Sequence, residues 1–111
     1  MLAEIDHLVR NLIPCFAEAA GMKTHADRLR ALPMIRNAST IQAAATALRA
    51  FGKSSPGPSR EPIWADLIRD VAFWAEASLW TAAENNQEDC PTCVLFVKRE
   101  LDAAFSHFAE H

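Results

Sequence analysis

Apolar residues recur at helical spacing along most of this chain, and this periodicity constrains the fold more than any other feature. In residues 2–20, side chains placed about 100° apart put the apolar groups on one side and charged or amide groups on the other. Long alternating runs of Val, Ile and Thr, which are typical of half-buried strands, are absent from the sequence. The pattern therefore predicts an all-α fold.

Breaks in the periodicity predict a small bundle of four or five helices. We expect helical segments over 2–20, from Thr24 to about Leu32, from about Thr40 to Phe51, from Pro62 to about Asn85, and from Pro91 to about Ala109. Ser39 and Gln42 match a capping box before the third segment, and Gly21 suits a left-handed helix end. The short run NNQED between the two longest helices predicts that they form an antiparallel hairpin.

Two interruptions affect the organisation of the chain. Pro14 removes a backbone donor, so either the first helix bends there or a second helix begins with Pro14 in its first turn. Residues 52–62, GKSSPGPSREP, sustain neither helix nor strand and predict a flexible surface connection. Because 111 residues suffice for one hydrophobic core, we expect a single helical domain over 1–111.

The segment from Pro62 to Asn85 has more apolar residues than one helix face accommodates. Its expected core face consists of Ile63, Trp64, Leu67, Ile68, Val71, Trp74, Ala75 and Leu79. Phe73 and Trp80 lie two turns apart on the opposite, charged side, and Leu95 and Phe96 add apolar surface from the last helix. An apolar centre with a charged rim is typical of a protein–protein contact. The predicted interface therefore comprises Phe73, Trp80, Ala77, Asp70, Glu76, Leu95 and Phe96.

Two explanations of this apolar excess are open from the sequence. The helix could lie centrally in the bundle, where its own chain would cover both sides. Alternatively, Phe73 and Trp80 would be covered by a second copy of the chain or by a different protein, since a small domain with surplus apolar surface gains stability by pairing.

Charge is distributed unevenly along the chain, whose net charge is −3. Residues 23–53 carry six Lys or Arg and one Asp, whereas residues 61–111 carry three Lys or Arg and ten acids. Either the two halves attract each other, within one fold or between two copies, or the basic region binds an acidic partner.

The cysteine content indicates a reducing compartment. The chain has three cysteines, an odd number that does not suit a disulfide scaffold, and it begins without a recognisable signal peptide. No apolar run is long enough to cross a bilayer, so we expect a cytoplasmic protein without membrane contact. Cys15 lies at the edge of the first apolar face, which predicts a buried small side chain.

Cys90 and Cys93 form a Cys-x-x-Cys motif at a predicted helix start, where the positive end of the helix favours a thiolate. The motif makes these two residues redox candidates. Over these four residues the chain resembles the alkylhydroperoxidase-D-like proteins, which are all-α and carry the same motif at a helix start. In that family the motif is followed, four residues after the second cysteine, by a histidine, and an upstream glutamate takes part in the relay. The resemblance implies dithiol chemistry, but the position of the histidine is Val97 here, so nothing supplies the base.

The spacing of Cys90, Cys93, His107 and His111 is close to that of a zinc finger. A single helix over 93–107 would separate the two halves by about 21 Å at 1.5 Å per residue. Zinc ligands lie within about 2.3 Å of one ion. The sequence therefore predicts no metal site and no cofactor.

Residues 24–51 could form a helix-turn-helix for DNA binding, with Ser39 to Phe51 as the recognition helix. The excess of Lys and Arg over acidic residues in this region favours that alternative, whereas the long turn and the net negative charge of the chain oppose it. Because no catalytic set stands out, we expect a non-enzymatic regulatory module, a homodimer that binds and modulates or sequesters another protein. Small bacterial antiactivators and immunity-type inhibitors act in this way. DNA binding and thiol redox chemistry are the alternatives.

Overall fold

Five helical segments make up most of the computed structural model, which describes residues 2–54 and 62–110, with side chains described as far as His107. The elements are α1 (Ala3–His7), a π-helical turn (Leu8–Leu12), α2 (Ile13–Ala19), α3 (Lys23–Arg30), α4 (Ala38–Lys53), α5 (Pro62–Glu84) and α6 (Pro91–Glu110). The first three follow one another without a loop and count as one segment. The described ranges contain no strand, so the predicted all-α bundle with two long final helices is confirmed.

A widened turn accommodates Pro14 in the first segment. In a regular α-helix its ring would clash with the carbonyl of Arg10. The chain instead forms the π-helical turn, in which the N–H of Ile13 donates to the oxygen of Leu8, and α2 then begins with Pro14 in its first turn. Of the two alternatives from the sequence, the second therefore describes the structure. Gly21, with φ of 81°, ends α2 in the left-handed conformation as predicted.

The capping box before α4 differs from the predicted one. Asn37, not Ser39, is the N-cap, and its side-chain oxygen accepts from the Thr40 N–H at 3.0 Å. The hydroxyl of Thr40 in turn accepts from the Asn37 N–H at 2.9 Å, so Gln42 has no part in the box. The helix consequently begins two residues earlier than expected, and it continues through Lys53. The remainder of the predicted surface connection, residues 55–61, lies outside the described residues.

The start of α1 is capped from the opposite end of the chain. Leu2, at the N-cap position, offers no side-chain acceptor. The carboxylate of Asp89, in the α5–α6 connection, accepts instead from the N–H groups of Glu4 at 3.0 Å and Ile5 at 3.2 Å. The same connection turns through Asn86 and Gln87, both with positive φ. This cap therefore ties the first helix to the hairpin of the last two.

Asp6 holds the extended segment between α3 and α4 against the first helix. Its carboxylate pairs with Arg10 at 2.6 Å and accepts from the Ile35 N–H at 2.8 Å. The hydrogen bond from Arg10, assisted by that from Ile35, lowers the pKa of Asp6 although partial burial opposes the shift. Ile35 is buried beside this link, so the segment is anchored by one apolar and one charged contact.

Helices α4 and α5 approach closely through small side chains. A Cβ added to Gly52 would lie 2.9 Å from the Cβ of Ala72. The buried face of α5 accordingly includes Ala72, Ser78 and Ala82 in addition to Trp64, Ile68, Val71, Ala75 and Leu79. The predicted core face was therefore wrong at one edge, since Ile63 is 42% exposed and Leu67 and Trp74 are only partly buried. In the first segment, Cys15 is exposed, which corrects the prediction that it is buried.

Helices α5 and α6 run antiparallel, as two ring contacts along the hairpin demonstrate. Trp74 stacks on Phe96 with ring centroids 5.1 Å apart, and Trp64 contacts His107 edge-to-face at 4.8 Å. The pair Trp74–Phe96 lies nearer the turn on both helices, and the pair Trp64–His107 lies further from it on both, so the two helices run in opposite directions. This pairing brings apolar side chains of both helices to a shared surface.

We predict that Asp89→Ala lowers the free energy of unfolding by about 0.5–2 kcal/mol, because α1 loses its side-chain cap. Urea unfolding followed by circular dichroism measures the change, and Glu88→Ala, an exposed neighbour, is the control. Equal effects of the two substitutions would contradict the capping role of Asp89.

Gly52→Ala should destabilise the protein by about 1–3 kcal/mol through overpacking against Ala72, although alanine is the better helix former by about 1 kcal/mol. Adding Ala72→Gly should recover part of this loss, because it removes the opposing methyl group. Thermal unfolding of both single variants and the double variant tests the contact, and strictly additive losses would contradict it.

Asp6→Asn should remove stability that depends on pH. The folded-state pKa of Asp6 lies below its unfolded value of 3.8, so its contribution is present above that value and disappears as pH falls through the folded pKa. We expect the variant to be about 1–2 kcal/mol less stable at pH 7 and the gap to narrow at acidic pH. A constant gap across the urea titrations would contradict this assignment.

Candidate interaction surface

Three exposed apolar side chains and one half-buried tryptophan on α5 and α6 make up what we call the aromatic surface: Phe73, Leu95, Phe96 and Trp74. Phe73 is 63% exposed and contacts Trp74 edge-to-face at 5.4 Å between ring centroids. Trp74 in turn stacks on Phe96, which is 40% exposed, and the adjacent Leu95 is 46% exposed. Trp74, a residue of the predicted core face, thus links two of the predicted interface residues, Phe73 and Phe96.

The position of Trp74 follows from the packing of α5. Ala72 extends the buried face on one side, whereas Ile63, Leu67 and Trp74 on the other side are exposed or only half-buried, so the buried face is rotated by about 40° from the predicted one, at 100° per residue. Trp74 therefore lies half-buried at the edge of the core, where its ring also stacks on Phe96 of α6. On α6, Val94 and Val97 are buried, which leaves Leu95 and Phe96 facing outward.

Trp80 lies in a different environment from Phe73. It is half-buried and packs against the core. The guanidinium carbon of Arg49 lies 5.9 Å from its ring centroid, and that guanidinium also binds Glu76 at 2.5 Å. Helix α4 therefore covers part of Trp80, whereas Phe73 remains open. Of the other predicted residues on α5, Asp70 is exposed and Ala77 is half-buried.

A shallow cleft between α4 and α5 borders the aromatic surface at Phe73. Its volume is about 440 Å³, and its lining includes Phe73, Glu76 and the cations Arg49, Lys53 and Arg69. Arg69 is paired with Asp66, with both side chains largely exposed. The rim of the surface therefore combines basic and acidic groups beside an exposed ring, which is the composition of a protein contact.

Cys90 and Cys93 meet at the start of α6, as the sequence predicted. Cys90 occupies the N-cap position, and its sulfur accepts from the Cys93 N–H at 3.4 Å. All three cysteines are free thiols, and both members of this pair are half-buried. Within the described residues, no group of three or more His, Cys, Asp or Glu could hold a metal ion. His111, the fourth residue of the zinc alternative, lies outside those residues.

The proposed helix-turn-helix region contains two helices, α3 and α4, joined by seven residues in place of the usual three or four. Arg49 on α4 is occupied by Glu76. One face of α4 packs in the core and its last turns lie against α5. This geometry does not favour the DNA-binding alternative.

His25 and Ser54 form a contact that sequence reasoning missed, since 29 residues separate them. The Ser54 hydroxyl donates to the Ala50 carbonyl at 2.8 Å and lies 2.7 Å from His25 Nε2. Burial, together with the nearby Arg28 charge, lowers the pKa of His25. Because the hydroxyl proton is taken up by the helix carbonyl, the pair closes the end of α4 and is not arranged as a nucleophile and its base.

No helix in the described part of the chain combines the length and apolar character required to cross a bilayer. Comparisons with protein-family models, curated proteins and solved structures find no match to this chain. The resemblance to the alkylhydroperoxidase-D-like proteins therefore remains confined to residues 90–93.

Proposed function

We propose that this chain is a small, non-enzymatic protein-binding module that pairs with a second copy through the aromatic surface and modulates or sequesters another protein. The observation that carries the proposal is Phe73, a large ring left 63% exposed that contacts Trp74 edge-to-face, while Trp74 stacks on Phe96. Each large aromatic side chain can bury roughly 150–250 Å². Covering this surface would therefore yield a substantial apolar contribution to association.

A second copy suits the charges around the aromatic surface. Asp70 and the paired Asp66 and Arg69 place both signs beside Phe73. In a two-fold dimer the same patch meets itself, so a rim of one sign would repel its copy, whereas a mixed rim can match acids to bases. The three free thiols suit a reducing compartment, and we place the module in the cytoplasm.

Light scattering coupled to size-exclusion chromatography tests the pairing. We expect the wild type to be dimeric, and Phe73→Glu to raise the dimer dissociation constant at least about tenfold, because a charge would be placed in a desolvated aromatic contact. Met34→Glu is the matched control, since Met34 is 58% exposed and lines a different cleft from Phe73, together with Leu2, Ile35 and Gln87. A monomeric wild type, or equal effects of the two substitutions, would contradict the pairing.

A photo-crosslinking amino acid at position 73 tests the binding of another protein in the native cell. We expect it to capture a defined protein in addition to the chain itself, and the same probe at position 34 not to capture that protein. Identical captured proteins from both positions would contradict the role of the aromatic surface.

A further inference from the structure

The start of α6 places Cys90 and Cys93 within one helical turn, and the aromatic surface includes neither. The N–H of Cys93 donates to Cys90 Sγ at 3.4 Å, which holds that sulfur over the first turn of the helix. Both side chains are half-buried, so the pair is supported by the fold and still open to small reagents. Two sulfur atoms held in this way can form a disulfide within one turn of helix.

The two thiols have unequal surroundings. The hydrogen bond from the Cys93 thiol, followed by those from the N–H groups of Cys93 and Thr92, holds the pKa of Cys90 below its ordinary value. Burial, followed by the hydrogen bond to Cys90, raises the pKa of Cys93. Because thiolates are the reactive form, Cys90 is the member of the pair that reacts first.

The neighbouring residues preserve this difference. Pro91 occupies the first position of α6 and has no N–H. The N–H groups that follow it, those of Thr92 and Cys93, stabilise the sulfur of Cys90. The carboxylate of Asp89 would disfavour a nearby thiolate, but it is hydrogen-bonded to the N–H groups of Glu4 and Ile5. A hydroxyl or carboxylate at position 90 would cap the helix at least as well as a thiol, so capping alone does not account for the pair.

We propose that Cys90 and Cys93 form a reversible dithiol–disulfide site that exchanges with the disulfide of a low-molecular-weight thiol. The Cys90 thiolate attacks one sulfur of the small disulfide, whose S–S bond breaks, and a mixed disulfide forms on Cys90. The departing thiolate takes up the proton that Cys90 released.

The second step completes the exchange. Cys93 loses its proton and attacks the Cys90 sulfur, which breaks the mixed disulfide and releases the second small thiolate, and this thiolate is protonated in turn. In total, the protein gives up two electrons and two protons, and one small disulfide becomes two thiols. An excess of the reduced small thiol drives both steps in reverse.

Oxidised glutathione is the probe, applied to the full chain at pH 7 in a Cys15→Ser background that leaves only this pair. After acid quenching and alkylation, intact-mass spectrometry should show a product two hydrogens lighter that reduced glutathione converts back. With Cys93→Ser added, a glutathione adduct should accumulate on Cys90. With Cys90→Ser added, the adduct on Cys93 should form at least about fivefold more slowly.

Two results would overturn the proposal. In the first, the Cys15→Ser variant keeps both thiols free after treatment with oxidised glutathione, although the same treatment modifies the wild type at Cys15. The other is equal adduct formation by the two single-cysteine variants. Circular dichroism establishes that the variants are folded, and peptide mapping of the background variant at early times provides a test without further substitution. Early adducts on Cys90 support the proposal, and early adducts on Cys93 contradict it.

Discussion

Close packing of α5 against α4 sets the orientation of α5, and the exposed surface of the molecule depends on that orientation. Gly52 leaves room for Ala72, and Ala75, Ser78 and Ala82 continue a buried face with several small side chains. In this orientation Phe73 is exposed on the outer side of the helix and Trp74 is half-buried at the edge of the core, where it contacts Phe73 and stacks on Phe96 of α6.

The aromatic surface is therefore a consequence of how the core is filled. A helix with more apolar residues than one face accommodates exposes the excess unless other elements or a partner cover it. Helix α4 covers part of the excess, since Arg49 lies over Trp80 and binds Glu76. Phe73 receives no comparable cover, which is why the proposed pairing is centred on it.

Helical periodicity and helix-breaking residues were sufficient to predict the number of segments, the long final hairpin and the left-handed end at Gly21. Other features depend on contacts between distant residues and have no local signal. The cap of α1 comes from Asp89, and the anchor of Ile35 comes from Asp6. In the candidate site, Phe73 and Phe96 were found from their positions on helical wheels. The partial exposure of Trp74 was not predicted, because this residue lies at the edge of the apolar arc and its contact with Phe96 depends on how α6 packs against α5.

Hydroxyl-radical footprinting of Phe73 at increasing protein concentration tests most directly whether this ring is covered in solution. Each residue is compared with itself, and Met34 reports on a surface outside the proposed contact. If two copies pair through the aromatic surface, Phe73 should react fully in dilute protein and become protected as the protein concentration rises, while Met34 keeps a constant rate. A Phe73 that remains equally reactive at every concentration would contradict pairing through the aromatic surface.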